Sequence, residues 1–169
     1  DHRDKVHAYV TDAVAEGAQL LTGGVIPDGD LAKGSYYPPT ILDGCTTTMR
    51  CVQDESFGPV LTVETFSGAT REEAEDAAVA LANDTIYGLA GAVWTENAGR
   101  AERVAGRLRH GTIWINDYHP YVPQAEWGGM KQSGIGRELG LAGLHEYVET
   151  KHIWHNTRPA KAGWFTDPS

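Results

Sequence analysis

The segment DESFGPV, residues 54–60, contains residue types that could hold a sugar and a flat ring side by side. Glu55 stands two residues before Phe57, and a Gly-Pro pair then opens an extended stretch. A carboxylate on a rigid turn can accept hydrogen bonds from two neighbouring hydroxyls, such as those of a ribose. A nearby phenyl ring can pack against a planar heterocycle. The pattern makes Glu55 and Phe57 candidate binding residues and is suggestive rather than specific.

A second candidate is a group of aromatic residues, Trp114, Tyr118, Tyr121 and Trp127, which fall within fourteen positions and near Glu126. Aromatic faces around a desolvated space can form a cage for an onium cation, because the ring quadrupole attracts positive charge. The alternative is an aromatic loop whose rings pack on each other. Composition alone favours the packed loop.

Two patterns that resemble known catalytic or nucleotide motifs are weak. SGIGRELG places Gly134, Gly136 and Gly140 at a G-x-G-x-x-x-G spacing, and no apolar strand precedes it. A dinucleotide-binding loop needs a strand, a glycine turn and then a helix. The glycines therefore indicate a tight turn into the last helix. A serine hydrolase is disfavoured because no G-x-S-x-G elbow occurs.

The cysteines and histidines also lack a specific signature. Cys45 and Cys51 are too few for a disulfide framework, and their flanking residues match no nucleophile motif, so we expect ordinary thiols in a reducing, cytoplasmic compartment. His152 and His155 would point to opposite faces of a strand, which is unsuitable for a shared metal ion.

Strands and helices alternate in the centre of the chain. Apolar residues at positions 6, 9, 10, 13 and 14 predict a first helix, and Thr70 with Glu73 forms a capping box that opens a second. Asn97 is the expected cap of a third helix. The pattern predicts an α/β fold with an open parallel or mixed sheet covered by helices. The predicted strands are 60–66, 90–95 and 112–116.

The C-terminal part is organised differently. Residues 117–136 form a long loop rich in Gly, Pro and aromatic residues, which is typical of a functional loop. A last helix that carries Leu141, Leu144, Tyr147 and Val148 precedes 151–157. The alternation of 151–157 predicts a terminal strand that could pair with a neighbouring subunit or close its own sheet. We expect the tail from position 158 to be loose.

Composition excludes several classes of protein. The 169 residues carry 14 basic and 23 acidic side chains, a net charge of -9, which disfavours binding to a nucleic-acid backbone. No apolar run approaches the ~18 residues that span a bilayer, so no membrane partner is expected. The first residues have no secretory signal, and they lack an initiator Met, which suggests a processed product or a fragment.

Taken together, several segments resemble the aldehyde dehydrogenase family. DESFGPV resembles its E-x-F-G-P motif, and ANDTIYGLAGAVWT resembles its A-N-x-x-x-Y-G-L-A-x-x-V-W-T run. HGTIWIND, WGGMKQSGIGRELG and GLHEYVETKHI resemble its C-terminal signature, and GGV…KGSYYPPTIL fits upstream. The loop NDYHPYVPQAEWGG is most similar to the betaine aldehyde dehydrogenase branch. The matches cover nearly the whole chain in order.

The resemblance implies roles for particular residues. Glu55 would hold the ribose hydroxyls of NAD or NADP, and Phe57 would pack near the nicotinamide. Trp127 would line the entrance for a small-molecule aldehyde, with betaine aldehyde as a candidate substrate. Tyr118 and His119 would flank that entrance.

Other implied roles concern proton transfer and cations. Glu138 matches a carboxylate that relays protons in some members. Lys131 and Gly134 match a region that binds a monovalent cation, such as potassium, in some betaine aldehyde enzymes. Many members have Pro where Glu126 stands, so this carboxylate either favours a cationic aldehyde or faces water.

The resemblance also sets the expected extent of the chain. It covers about the last third of such an enzyme, whose chemistry depends on a cysteine thiolate, a general-base glutamate and a dinucleotide-binding half that lie upstream. We expect residues 1–150 to be the C-terminal part of the catalytic domain and 151–169 an oligomerisation strand and tail. The parent would be a homo-oligomer, a dimer or tetramer, and the isolated chain inactive. The alternative is a noncatalytic onium-binding or oligomerisation module derived from the family.

Overall fold

The computed structural model describes residues 2–160 and 163, which form a mixed α/β fold with five α-helices, one 3-10 helix and seven short strands. In chain order these elements are α1 His2–Ala15, β1 Gln19–Thr22, the 3-10 helix Gly29–Lys33, β2 Thr40–Asp43, α2 Arg50–Gln53, β3 Val60–Thr62, α3 Arg71–Asn83, β4 Tyr87–Gly88, β5 Ala90–Val93, α4 Ala98–Arg107, β6 Thr112–Ile115, β7 Met130–Lys131 and α5 Gly140–His145.

The main core of the described chain lies between α1 and the first sheet. The predicted apolar face of α1 is buried as expected at positions 6, 9, 10 and 13. It packs with Leu42 of β2, which is fully buried, and with Cys45, Met49 and Cys51 around α2. Burial of such side chains contributes about 1.5–3 kcal/mol each. This core fixes α2, and α2 leads directly into the 54–60 segment.

The first sheet has the order β1-β2-β3. β1 and β2 are antiparallel, and β2 and β3 are parallel with Thr40 opposite Val60. The extended stretch predicted over 60–66 ends as a strand at Thr62. Its partner β2 ends at Asp43, where Gly44 has a φ of 65° and turns the chain away.

The central alternation is confirmed as an order of elements, but one continuous sheet is not formed by the described residues. β5 and β6 pair in parallel as a separate sheet, with Ala90 opposite Thr112, and β3 pairs with β2 instead. β4 and β7 form a third, antiparallel pair. Local sequence patterns indicate strands, but long-range contacts decide which strands pair.

The predicted helix starts are confirmed. Thr70 Oγ1 accepts a hydrogen bond from the Glu73 amide, and the Glu73 carboxylate accepts one from Ala69, one residue before the cap. The Asn97 side chain accepts from the Arg100 amide at the start of α4. Each such cap contributes about 1 kcal/mol.

The terminal strand predicted over 151–157 has no strand partner within the described chain. Ile153 and Trp154 are highly exposed there. Pairing with a neighbouring subunit stays a prediction, and the tail beyond 160, apart from Gly163, lies outside the described residues. No described helix is both long enough and apolar enough to cross a membrane.

Candidate functional site

Glu55 and Phe57 lie on a turn between α2 and β3. The Asp54 amide donates to the Arg50 carbonyl over 2.9 Å and closes α2, so the chain leaves the helix at Glu55. Phe57 has a φ of 51°, a left-handed conformation that costs a residue with a Cβ about 1–2 kcal/mol. Its ring is 78% exposed, and Glu55 is exposed beside it. The turn therefore presents a carboxylate and an aromatic ring to the outside together.

Two open clefts meet at this turn. One, of about 530 Å³, is lined by Glu55 and Phe57 together with Tyr9 and β3. The other, of about 470 Å³, is lined by the same two side chains and by Gln132 and Ser133 across from them. The turn is thus a ridge with accessible space on either side, which is what a binding residue for a large ligand requires.

His110 lies in the second cleft, and it was not identified as a candidate from the sequence because it occurs there only within the segment HGTIWIND. Its Nδ1 atom is buried and has no hydrogen-bond partner among the described residues. Burial lowers the pKa of His110, and the positive charges of Lys131 and Arg109 lower it further. Both effects favour the neutral ring, whose Nδ1 is a buried polar atom without a hydrogen-bond partner in the described part of the chain.

Lys131 and Gly134 flank the same cleft. The Lys131 ammonium donates to the Thr85 carbonyl over 2.8 Å and approaches the Asn83 carbonyl at 3.5 Å, at the C-terminal end of α3. Desolvation, followed by the charge of Arg109, lowers the pKa of Lys131. Because this side chain is itself a cation, only backbone oxygens of Lys131 and Gly134 could coordinate potassium. Among the described residues, no His, Cys, Asp and Glu group has the arrangement of a metal site.

The aromatic residues form a packed cluster at the end of β6. Trp114 is buried and lies 5.8–5.9 Å from the rings of Tyr118, His119 and Trp127, while its Nε1 donates to the Pro120 carbonyl. The Trp114 contact with Tyr118 is edge-to-face, as are those of Tyr121 with Trp114 and Trp127, and such contacts stabilise ring pairs beyond simple burial. Because the rings pack against one another, the structure favours the packed loop over a preformed cage for an onium cation. Tyr118 is 71% exposed and forms the outer surface of the cluster.

Trp127 and Glu138 are joined through their backbones. The Trp127 amide donates to the Glu138 carbonyl, and the Glu138 amide donates to the Trp127 carbonyl, each over 2.7 Å. The Glu138 side chain is exposed. This bridge brings the predicted entrance residue and the predicted proton-relay residue together, although they are eleven positions apart.

Glu126 does not simply face water. Its carboxylate lies against the start of α5, where the Ala142 amide approaches Oε1 at 3.5 Å. Hydrogen bonds from its own amide and from that of Ala142 lower its pKa. An anion at the start of a helix is stabilised by the unpaired amides. We conclude that Glu126 orders the segment after Trp127.

The two cysteines lie together in the core. Cys45 and Cys51 are both buried, with Sγ atoms 3.9 Å apart. Burial, followed by the proximity of Cys45, raises the pKa of the Cys51 thiol to about 12. Because the thiolate is the reactive form, a thiol that stays protonated at neutral pH is inert.

The predicted site residues therefore lie in two spatial groups. Glu55 and Phe57 share one turn, with His110, Gln132 and Ser133 lining the adjoining cleft, and Lys131 and Gly134 are the chain neighbours of the last two. Tyr118 and His119 join Trp127 in the aromatic cluster, and Glu138 is bridged to it. The two clefts at the turn are lined by the first group and not by the aromatic cluster.

Comparison with known proteins gives consistent matches. The model of the "Aldehyde dehydrogenase family" matches residues 1–153. Betaine aldehyde dehydrogenase of Bacillus subtilis (strain 168) is 58% identical over 166 residues, 98% of this chain and 33% of that protein. Peroxisomal aminoaldehyde dehydrogenase 1 of Pisum sativum is 46% identical over 165 residues, 98% of this chain and 31% of that protein.

Solved structures agree with these sequence matches. A crystal structure of betaine aldehyde dehydrogenase from Staphylococcus aureus in complex with NAD+ has a TM-score of 0.87 and 54% identity, covering 98% of this chain and 32% of that one. Other structures of that enzyme carry substitutions at a consecutive His, Pro and Tyr. The chain thus spans about a third of the length of the relatives that it matches.

Proposed function

The chain belongs to the aldehyde dehydrogenase family, and from that premise we propose that it is the C-terminal third of an NAD- or NADP-dependent enzyme that oxidises an aldehyde to its carboxylate. The observation that carries the proposal is the turn on which Glu55 and Phe57 stand together, exposed, at the meeting point of two clefts. The complex of the Staphylococcus aureus relative with NAD+ supports the coenzyme class.

In the proposed site the turn holds the coenzyme. The Glu55 carboxylate accepts hydrogen bonds from two ribose hydroxyls, and Phe57 packs against the nicotinamide ring. NAD, when bound, supplies the hydride acceptor. The role of this chain is to orient the nicotinamide that accepts the hydride. A fixed orientation matters because a misplacement of about 1 Å can cost 100-fold in rate. NADP in place of NAD is part of the same proposal.

The aromatic cluster is the proposed aldehyde entrance. Trp127, Tyr118 and His119 would line it, and a quaternary ammonium substrate such as betaine aldehyde would be attracted by the exposed face of Tyr118. The tripeptide His119-Pro120-Tyr121 has the same sequence as the His-Pro-Tyr substituted in structures of the Staphylococcus aureus relative. The names of both cited relatives support small aldehydes that carry an amino or ammonium group.

Glu138 is the proposed proton relay. Its side chain is exposed, and the bridge between Glu138 and Trp127 does not involve the carboxylate because it uses only backbone atoms. A carboxylate that exchanges protons with water can carry away those released by the reaction. Potassium coordination by the backbone oxygens of Lys131 and Gly134 stays a prediction, and it has no part in the proposed chemistry because the Lys131 ammonium already holds the nearby carbonyls.

The nucleophile is proposed to lie outside this chain, since Cys45 and Cys51 are both buried and burial raises the pKa of the Cys51 thiol to about 12. Residues 1–150 then complete a catalytic domain, and 151–169 would pair with a partner in a dimer or tetramer in the cytoplasm. Oligomerisation would also cover the exposed Ile153 and Trp154.

The test is NADH formation by the full-length protein that contains this segment, with NAD and betaine aldehyde. We expect turnover that needs both reactants, and none from the isolated 169-residue chain in the same mixture. Turnover by the isolated chain would contradict the assignment of the nucleophile. Binding of betaine aldehyde by the full-length protein without any NADH would favour the noncatalytic onium-binding module.

A further inference from the structure

The carboxylate of Glu55 needs an external support. No described residue forms a side-chain hydrogen bond with it, so its position depends on the backbone of residues 54–58. That backbone includes Phe57 in a left-handed conformation, which persists only where the surroundings impose it. Contacts from outside residues 54–58 must therefore hold this turn.

One face of α1 supplies three contacts to the turn, from residues spaced at i, i+4 and i+7. The Tyr9 hydroxyl lies 2.6 Å from the Asp54 carbonyl oxygen and 2.9 Å from that of Cys51. The His2 ring donates from Nε2 to the Phe57 carbonyl over 2.8 Å. Val6 lies directly under Gly58, where a Cβ would come within 2.6 Å of Cγ2.

Tyr9 is the buried centre of these contacts. Its hydroxyl also reaches the Arg50 carbonyl at 3.3 Å, so it faces three carbonyl oxygens at the C-terminal end of α2. The Arg50 carbonyl also accepts the Asp54 amide, so the short contacts to the Cys51 and Asp54 carbonyls are the ones that depend on the Tyr9 hydroxyl. Burial, followed by Cys51 and Asp54, raises the pKa of Tyr9 to about 12, so the hydroxyl remains a donor.

Arg50 completes the attachment from the other side. Its guanidinium lies 5.7 Å from the centre of the Tyr9 ring and donates from Nε to the Asp54 carboxylate over 2.8 Å. The residue immediately before Glu55 is therefore held through its carbonyl by Tyr9 and through its side chain by Arg50. Small rotations at Asp54 would displace the Glu55 carboxylate directly.

From these contacts we propose that α1 is the positioning element of the coenzyme turn and that Tyr9 is its main positioning residue, acting through Glu55. The proposal rests on the proposed function for its effect on catalysis, but the attachment of the turn is independent of it. It assigns a role in hydride transfer to a helix whose first residue is more than fifty positions from Glu55.

The test compares Tyr9→Phe with Tyr37→Phe in the full-length protein that contains this segment. Tyr37 is a matched control, because its hydroxyl contacts His7 of the same helix over 3.1 Å but not the turn. Amide hydrogen exchange over residues 54–58 should be faster by about 2- to 10-fold in Tyr9→Phe and unchanged in Tyr37→Phe. Equal exchange in the two variants would overturn the proposal.

Kinetics separate positioning from general stability. Tyr9→Phe should raise KM for NAD or lower kcat by about 2- to 10-fold. In a Glu55→Gln background the same substitution should have no further effect, because the hydroxyl acts through that carboxylate. Independent, multiplying losses would mean that Tyr9 is merely structural.

Three further substitutions address the other contacts. His2→Ala removes the bond to Phe57 from an exposed position, and it should also speed exchange at the turn. Gly58→Ala should lower turnover, and Val6→Ala should partly restore it by removing the clash. If Gly58→Ala lowers turnover and the added Val6→Ala does not restore it, the proposed role of Val6 is contradicted. An inactive wild-type protein would refute the proposed function, while the exchange measurements would still decide whether α1 holds the turn.

Discussion

Trp127 and Glu138 exchange two backbone hydrogen bonds of 2.7 Å each, and this pair forms an isolated antiparallel bridge. The loop between them holds β7, Lys131 and Gly134. A shift of the Trp127 backbone would therefore move the Glu138 backbone as well. We infer that the proposed aldehyde entrance and the proposed proton relay are coupled through their backbones.

Trp127→Ala should weaken the use of betaine aldehyde more than the use of tert-butylacetaldehyde, its neutral counterpart of nearly equal shape. A cation–ring attraction of about 0.5–2 kcal/mol predicts an extra loss of about 2- to 30-fold in kcat/KM for the cation. Both aldehydes would be assayed with the full-length enzyme. Trp94→Ala, which removes an exposed indole from a different cleft, is the control. Equal losses for the two aldehydes would count against onium recognition by this cluster.

Glu75→Gln should lower the thermal unfolding midpoint at neutral pH. The Glu75 side chain is only 10% exposed and binds Arg103 over 2.9 Å, with Arg100 at 3.6 Å. The hydrogen bond from Arg103, and then the arginine charges, lower the pKa of Glu75. The ionised Glu75 therefore stabilises the folded protein fully above the ordinary glutamate pKa of about 4.3. This stabilisation is lost as the pH falls through the lower pKa that Glu75 has in the folded protein.

The measurement for Glu75 is the midpoint difference between wild type and variant across pH. The difference should be constant near neutrality and shrink on acidification below about pH 4.3. Asp30→Asn, which disturbs a highly exposed pair with Lys33, should change the midpoint little. A Glu75→Gln difference that grows on acidification would contradict the sign of the pKa shift.

Cys45→Ala with Cys51→Ala should leave catalysis nearly unchanged. Both thiols are buried, and the Cys51 carbonyl that accepts the Tyr9 hydroxyl is kept in the variant, so the cost is packing alone, about 1–2 kcal/mol of stability in total. The full-length double variant would be assayed below its unfolding midpoint. Loss of turnover without unfolding would place the nucleophile in this chain after all.

Local elements were predictable from the sequence because their causes are local. The caps at Thr70 and Asn97 depend on a side chain and an amide three residues on, and both are formed. The buried face of α1 depends on helical periodicity, which the apolar residues display directly. The turn that carries Glu55 was expected from Gly58-Pro59, whereas the short helix before it was not predicted.

Long-range relationships were not predictable in this way. Nothing in the residues around Tyr9 indicates that its hydroxyl meets carbonyls more than forty positions later. The neutral state of His110 depends on Lys131 and Arg109 being folded against it. The same reason explains why β3 could not be assigned to its partner: pairing depends on the free edge of β2 and on register, which a single strand does not encode.

The central claim is that Glu55 holds the coenzyme for hydride transfer. The most direct measurement is the kinetic isotope effect with aldehyde deuterated at its carbonyl carbon, in wild type and Glu55→Gln of the full-length protein. Glu96→Gln, on an exposed loop, is the control. Loss of a charged hydrogen-bond acceptor predicts about 10- to 100-fold slower turnover and a larger isotope effect, because hydride transfer becomes rate-limiting. Unchanged turnover with an unchanged isotope effect would contradict the assignment of Glu55.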